Sequence, residues 1–103
     1  MSTIRVVLAD DHALARRGVR SLLTEAGDIE VVAEAADGVT ALALVETHRP
    51  DVLVTDIEMP GLGGLELTER VFRDWPGTRV LAWIPTGKKT ANGITGLPAC
   101  FSL

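Results

Sequence analysis

Residues 50–65 read Pro-Asp-Val-Leu-Val-Thr-Asp-Ile-Glu-Met-Pro-Gly-Leu-Gly-Gly-Leu, and this stretch decides the fold. Its first part, residues 52–55, is a short apolar and β-branched run, which is typical of a strand buried on both faces of a parallel sheet. Asp56 follows that strand directly and precedes a glycine-rich loop. Ligands of open α/β sheets bind at the carboxyl ends of the strands. The stretch therefore predicts a carboxylate at a ligand-binding edge; the alternative is that Asp56 only starts a turn.

Apolar runs alternate with segments of helical periodicity along the rest of the chain. These patterns predict strands at residues 4–9, 29–35, 52–55 and 79–84, and helices at residues 13–26, 38–48 and 65–75. Glu30 and Glu34 alternate with apolar residues, which indicates an edge position for the second strand. Three strand–helix units followed by a fourth strand require right-handed crossovers and a parallel sheet.

The predicted helices have recognisable ends and one apolar face each. Asp11 or His12 is expected to cap the first helix and Gly27 to end it, while Asp37 is expected to cap the second helix. We predict that Arg16, Arg17 and Arg20 form a solvated face of the first helix. The alternative is that this face docks a partner. The apolar residues expected to face the sheet are Leu14, Val19, Leu22, Leu23, Ala26, Val39, Leu42, Val45, Leu65, Leu67, Val71, Phe72 and Trp75.

Length and composition narrow the class of protein. A chain of 103 residues is one small domain, and 47% hydrophobic residues with only 4% aromatics indicate a core of aliphatic side chains. The formal charge of −4 argues against non-specific binding of nucleic acid by this chain. The single cysteine, Cys100, excludes an internal disulfide. Because no apolar run reaches membrane-spanning length and no signal-peptide pattern is present, we expect a cytoplasmic protein without membrane contact.

Acidic residues follow the first and third predicted strands. If these strands are neighbours, their carboxyl ends bring Asp10, Asp11 and Asp56 into one pocket. Three carboxylates repel one another unless they share a cation, and Mg²⁺ prefers oxygen ligands that leave room for phosphate oxygens. Asp56 is then a possible nucleophile toward phosphorus. The alternative is that these aspartates only cap a helix and start a turn. We expect His12 to be a solvated residue at the start of the helix; the alternative is that it is a metal ligand.

Several motifs resemble the receiver domain of bacterial two-component response regulators, in particular the NarL/FixJ-like subfamily that precedes a LuxR-type helix-turn-helix domain. The resemblance covers residues 4–82, about four-fifths of the chain. The motifs that carry it are Val-Val-Leu-Ala-Asp-Asp-His (6–12), Ala-Asp-Gly (36–38), Arg-Pro-Asp-Val-Leu-Val-Thr-Asp-Ile-Glu-Met-Pro-Gly-Leu-Gly-Gly-Leu-Glu (49–66) and Pro-Gly-Thr-Arg-Val-Leu (76–81).

The resemblance implies a flavodoxin-like (CheY-like) doubly wound parallel sheet with the family's strand order 2-1-3-4-5. It implies that a sensor histidine kinase phosphorylates Asp56 in a phosphorelay, and that Mg²⁺ is held by Asp10, Asp11, Asp56 and the main-chain carbonyl of Glu58. The chain is accordingly expected to be a signalling module and not an enzyme. The rival interpretations are a receiver remnant that only forms a domain-swapped or tail-exchanged oligomer and, less favoured, a Mg²⁺-dependent phosphatase.

The resemblance breaks down near Trp83, and we therefore predict a receiver core at residues 1–82 and an atypical tail at residues 83–103. Receiver domains carry a switch Ser or Thr where this chain has Ile84, and Thr86 comes two residues late. Their switch Lys is expected just beyond Leu103, since Lys88 and Lys89 come too early. The expected sheet has the order 2-1-3-4 with an incomplete or replaced fifth β/α unit. The exposed sheet edge predicts a homo-oligomer, such as a homodimer, and the missing switch residues predict impaired signalling.

Overall fold

A computed structural model of the chain describes residues 3–57, 59, 61–83 and 98–101. The elements in chain order are β1 (Ile4–Ala9), α1 (Ala13–Glu25), β2 (Ile29–Ala35), α2 (Gly38–His48), β3 (Val52–Asp56), α3 (Gly64–Asp74), β4 (Arg79–Trp83) and β5 (Pro98–Phe101). The predicted alternation of strands and helices is confirmed up to β4. Of the described helices, none is both long and apolar enough to cross a bilayer.

The described strands form one sheet in the order β2-β1-β3-β4-β5. The first four are parallel, so the predicted order 2-1-3-4 and the edge position of β2 are confirmed. β5 runs antiparallel to β4, with Val80 opposite Phe101 and Trp83 opposite Pro98. In the described residues β5 therefore covers the edge that we expected β4 to expose. The homo-oligomer stays a prediction, but an open edge at β4 no longer supports it.

Helices pack on both faces of the sheet. On one face α2 and α3 cover Val7, Leu53 and Val80, because Ala41 and Val45 of α2 and Leu67 and Val71 of α3 recur at helical spacing and are buried there. On the other face Val19 and Leu23 of α1 pack against a smaller cluster formed by Val6, Leu8 and Val54. Both clusters lie on the strands that carry the acidic residues, so the sheet fixes the positions of β1 and β3.

Several apolar residues that we expected to face the sheet are exposed instead, and for these the prediction is wrong. The helices are turned about their axes so that a neighbouring residue faces the core instead: Gly38 is buried beside Val39, and Val71 is buried beside Phe72. The residues concerned and their exposed fractions are Leu14 (81%), Leu22 (69%), Val39 (66%), Leu65 (55%) and Phe72 (43%). Ala26 is exposed as well, because α1 ends at Glu25 and Ala26 is only its C-cap residue.

The helix ends agree with the predictions in part. The Asp37 side chain accepts a 2.7 Å hydrogen bond from the Thr40 amide and caps α2, and Gly27 follows α1 with a positive φ of 84°. His12 occupies the N-cap position of α1, but its side chain makes no capping hydrogen bond. A capping role for His12 is therefore wrong.

The residues on which the predicted switch defect depends lie outside the described residues. They are Ile84, Thr86, Lys88 and Lys89. The predicted boundary between a core at residues 1–82 and a tail at residues 83–103 stays a prediction.

Candidate functional site

Asp10 and Asp56 lie at the carboxyl ends of two neighbouring strands. In the parallel pair β1–β3 the last matched residues are Ala9 and Thr55, and each of them is followed in the chain by an aspartate. Asp10 is 1% exposed and Asp56 is fully buried, while the Asp11 side chain is 29% exposed. Carboxylate oxygens of the three residues lie within 4.8 Å of one another, together with a ring nitrogen of His12. The structure thus brings together the three acidic residues that the sequence singled out.

The His12 imidazole lies over these carboxylates. Its Nδ1 is 3.0 Å from Asp11 Oδ1, 3.3 Å from Asp10 Oδ1 and 3.8 Å from Asp56 Oδ2. The His12 amide also donates a 2.8 Å hydrogen bond to Asp10 Oδ1, so the chain folds back on Asp10 before α1 begins. The side chain is 63% exposed, yet its nitrogen belongs to the cluster. His12 is therefore more than the solvated helix-start residue that we expected.

Gly64 holds the loop after β3 against the end of the strand. Its amide donates a 3.0 Å hydrogen bond to the main-chain oxygen of Ile57. A Cβ at this position would overlap the main-chain oxygen of Asp56 and would lie 2.6 Å from Ile57 Cα. Only glycine therefore permits α3 to start this close to Asp56. Our sequence reasoning used Gly63-Gly64 as a sign of a loop and missed this close approach.

Arg16 fixes the main chain at Asp10. Its Nη1 donates a 2.6 Å hydrogen bond to the Asp10 main-chain oxygen, and its Nε lies 3.1 Å from Glu34 Oε1 on β2. Arg20 also pairs with Glu34, at 3.3 Å. The prediction of a wholly solvated arginine face is therefore wrong for Arg16, whose side chain is only 22% exposed. The sequence offered a cue in Glu34, an acidic residue on the edge strand beside α1.

The donor set fits a hard divalent cation. Among the described residues, His12 is the only basic side chain within 4 Å of the Asp10 and Asp11 carboxylates. Asp10 Oδ2 is buried and accepts no hydrogen bond from any described residue. Carboxylate oxygens that converge in this way, partly open to solvent through Asp11, match the coordination that Mg²⁺ prefers. Glu58, the further ligand implied by the resemblance, lies outside the described residues.

A protein-family model described as "Response regulator receiver domain" matches residues 6–95. The oxygen regulatory protein NreC of Staphylococcus epidermidis is 47% identical over 79 residues, which are 76% of this chain and 36% of that protein. The chain therefore spans about a third of the length of the curated relatives it matches.

Two solved structures are also similar. The signal receiver domain of the response regulator NarL from Mycobacterium tuberculosis has a TM-score of 0.79 and 40% identity, with coverage of 85% of this chain and 71% of that one. The isolated REC domain of RcsB from Salmonella enterica serovar Typhimurium, solved in the presence of phosphomimetic BeF₃⁻, has a TM-score of 0.78 and 25% identity, with coverage of 85% and 66%. The family and the fold class predicted from the sequence are confirmed.

Proposed function

The chain belongs to the response regulator receiver domain family of two-component systems, and from that membership we propose that Asp56 accepts a phosphoryl group from a sensor histidine kinase in a Mg²⁺-dependent reaction. The observation that carries this proposal is the position of Asp56. It is fully buried at the carboxyl end of β3, beside Asp10 and Asp11. A nucleophile held among fixed charges needs no reorganisation when the phosphoryl donor arrives.

The proposed step moves one phosphoryl group from nitrogen to oxygen. A carboxylate oxygen of Asp56 forms a bond to phosphorus while the bond between phosphorus and the histidine nitrogen of the kinase breaks, and the imidazole leaves with the electron pair of that bond. The products are an aspartyl phosphate and a free kinase histidine. When bound, Mg²⁺ neutralises the charge on the phosphoryl oxygens and on the acidic cluster.

Each acidic residue has its own part in this proposal. Asp10, Asp11 and Asp56 would hold the cation together with the main-chain carbonyl of Glu58. Arg16 keeps the Asp10 main chain in place, and Gly64 lets the loop after β3 lie close to Asp56. The similar RcsB domain, solved with a phosphomimetic, supports the assignment of phosphoryl chemistry to this fold.

We further propose that the phosphorylated state is poorly transmitted. The sequence places Ile84, which has no hydroxyl group, at the position where the family carries its switch Ser or Thr. An aliphatic side chain cannot donate a hydrogen bond to a phosphoryl oxygen. Phosphorylation of Asp56 would then change the shape of the domain less than it does in a receiver with the hydroxyl, and Ile84→Thr is expected to restore part of the response.

Intact-mass spectrometry after incubation with acetyl phosphate and Mg²⁺ tests the phosphoacceptor. We expect one added phosphoryl group in the wild type and none in Asp56→Asn. Asp74→Asn is the matched control, because Asp74 is an exposed aspartate at the end of α3 and lies outside the acidic cluster. Asp74→Asn should be phosphorylated like the wild type, and a chelator of Mg²⁺ should abolish phosphorylation of these two proteins. A phosphoryl group that persists in Asp56→Asn would contradict the proposal, as would an unmodified wild type that binds Mg²⁺.

A further inference from the structure

The nitrogen donor in the cluster distinguishes this site from one built of oxygen atoms alone. His12 Nδ1 lies 3.0 to 3.8 Å from oxygens of three different carboxylates. The His12 side chain makes no capping hydrogen bond at the start of α1. Its place over the acidic pocket is therefore not explained by the local needs of the helix.

A second observation points to a bound cation. Asp10 is 1% exposed, and its Oδ2 accepts no hydrogen bond from the described residues. A buried carboxylate oxygen is costly unless a donor or a cation compensates it. The Oδ1 atom of the same carboxylate is already bonded to the His12 amide, so Oδ2 is the atom left for a cation.

We propose that His12 is a protein ligand at this site through Nδ1, and that it gives the chain a selective site for a borderline transition-metal ion such as Ni²⁺ or Zn²⁺. This inference rests on the proposed function, because the same aspartates hold Mg²⁺ there. Imidazole nitrogen is a preferred ligand of Ni²⁺ and Zn²⁺, whereas Mg²⁺ takes oxygen ligands. The imidazole thus adds affinity for one class of ion and not for the other.

The distances suit a shared ion. Donor atoms that bind one ion at about 2.0 to 2.2 Å lie roughly 3 to 4 Å apart in tetrahedral or octahedral arrangements. The separations of His12 Nδ1 from Asp11 Oδ1 (3.0 Å) and Asp56 Oδ2 (3.8 Å) fall in that range. One ligand atom from each of the four residues lies within 4.8 Å of the others.

Calorimetric titrations of the tag-free chain with Ni²⁺ and, separately, with Mg²⁺ test the proposal. We expect His12→Asn to weaken Ni²⁺ binding by about tenfold or more and to change Mg²⁺ binding by less than about threefold. The control is His48→Asn, because the other histidine of the chain lies at the end of α2 and outside the cluster. This variant should keep both affinities. In the wild type, Ni²⁺ should broaden the His12 ring resonances before those of His48.

A second variant tests whether the effect comes from loss of the metal-binding nitrogen of His12 or from loss of a polar side chain at this position. His12→Gln keeps a polar side chain without the imidazole nitrogen, and we expect it to lose Ni²⁺ affinity as His12→Asn does. Unchanged Ni²⁺ affinity in both variants would overturn the proposal, and so would an equal loss of Ni²⁺ and Mg²⁺ affinity. Failure of the proposed function has a different outcome, because the wild type would then bind Mg²⁺ and remain unmodified by acetyl phosphate whatever its affinity for Ni²⁺.

Discussion

Nη1 of Arg16 lies 2.6 Å from the main-chain oxygen of Asp10, so that a side chain of α1 holds the end of β1 where the acidic cluster begins. The guanidinium also reaches Glu34 on β2 and thereby joins three elements around this end of the sheet. A half-buried arginine with two partners of this kind stabilises both the fold and the position of the metal ligand next to it.

Arg16→Met should weaken the fold and the metal site together. Loss of the hydrogen bonds to Asp10 and Glu34 is expected to lower the free energy of unfolding by about 1 to 2 kcal/mol. It should also lower Mg²⁺ affinity by about tenfold, because the Asp10 main chain is no longer held. Urea denaturation and Mg²⁺ titration measure the two effects. Arg17→Met is the matched control, since Arg17 is exposed on the same helix and should change neither value. Equal behaviour of the two variants would show that Arg16 has no positioning role.

Gly64→Ala should disrupt the site, whereas Gly18→Ala should stabilise the protein. A Cβ on Gly64 would overlap main-chain atoms of Asp56 and Ile57, which cannot move without shifting β3, and we expect a loss of about 3 kcal/mol or more. A Cβ on Gly18 would meet no atom within 4 Å beyond its chain neighbours and the backbone of its own helix, and alanine inside α1 should add about 0.5 to 1 kcal/mol. Thermal unfolding of both variants measures the contrast. A Gly64→Ala protein as stable as the wild type would refute the close approach of α3 to β3.

The sequence was sufficient to predict the four parallel strands, because each of them carries a recognisable pattern; β5, antiparallel to β4, was not among the predicted strands. Buried parallel strands are continuous apolar runs, and β1 and β3 could be found for that reason. The meeting of Asp10 and Asp56 followed from topology alone, since adjacent parallel strands place their ends together. Specific motifs around Asp56 then identified the family.

Side-chain roles were harder to predict where they depend on helix rotation or on long-range contacts. A shift of one residue around a helix axis exposes Leu14 and Val39, and periodicity cannot fix that angle. The pairing of Arg16 with Glu34 joins residues 18 positions apart on different elements. The placement of His12 over the carboxylates depends on how the chain turns after β1. Local periodicity predicts none of these features, although Glu34 on the edge strand offered a cue for its pairing with Arg16.

The cap of α2 should make stability depend on pH. The Thr40 amide, followed by the Thr40 hydroxyl, donates hydrogen bonds to the Asp37 carboxylate and lowers the pKa of Asp37. A carboxyl group whose pKa is lowered by folding stabilises the protein above its unfolded pKa, and this contribution is lost as the pH falls through the folded pKa. The stability difference between the wild type and Asp37→Asn should therefore shrink as the pH falls below about 4. Urea denaturation from pH 6 to pH 2.5 measures it, and a difference that stays constant over this range would contradict the role of the charged cap.

Removal of the charge on Asp56 should change the stability of the protein in opposite directions with and without Mg²⁺. Asp56 is fully buried within 4.8 Å of other carboxylate oxygens, and like charges at this distance repel. Without metal, Asp56→Asn should therefore raise the free energy of unfolding by about 1 kcal/mol. With Mg²⁺ at about 100 times its dissociation constant, the wild type should gain about 2.7 kcal/mol from binding.

The variant should gain much less from Mg²⁺, because it has lost one of the ligands that hold the cation. The order of stability of the two proteins is then expected to reverse as Mg²⁺ is added, which thermal unfolding at increasing Mg²⁺ concentrations would detect. Na⁺ and Ca²⁺ at matched ionic strength are the controls that separate binding at the site from screening of charge. Na⁺ only screens, so it should leave the original order of stability of the two proteins unchanged. If Asp56→Asn is less stable than the wild type in the absence of divalent ions, the carboxylates are compensated by protein groups, and charge repulsion is not what makes this cluster bind metal.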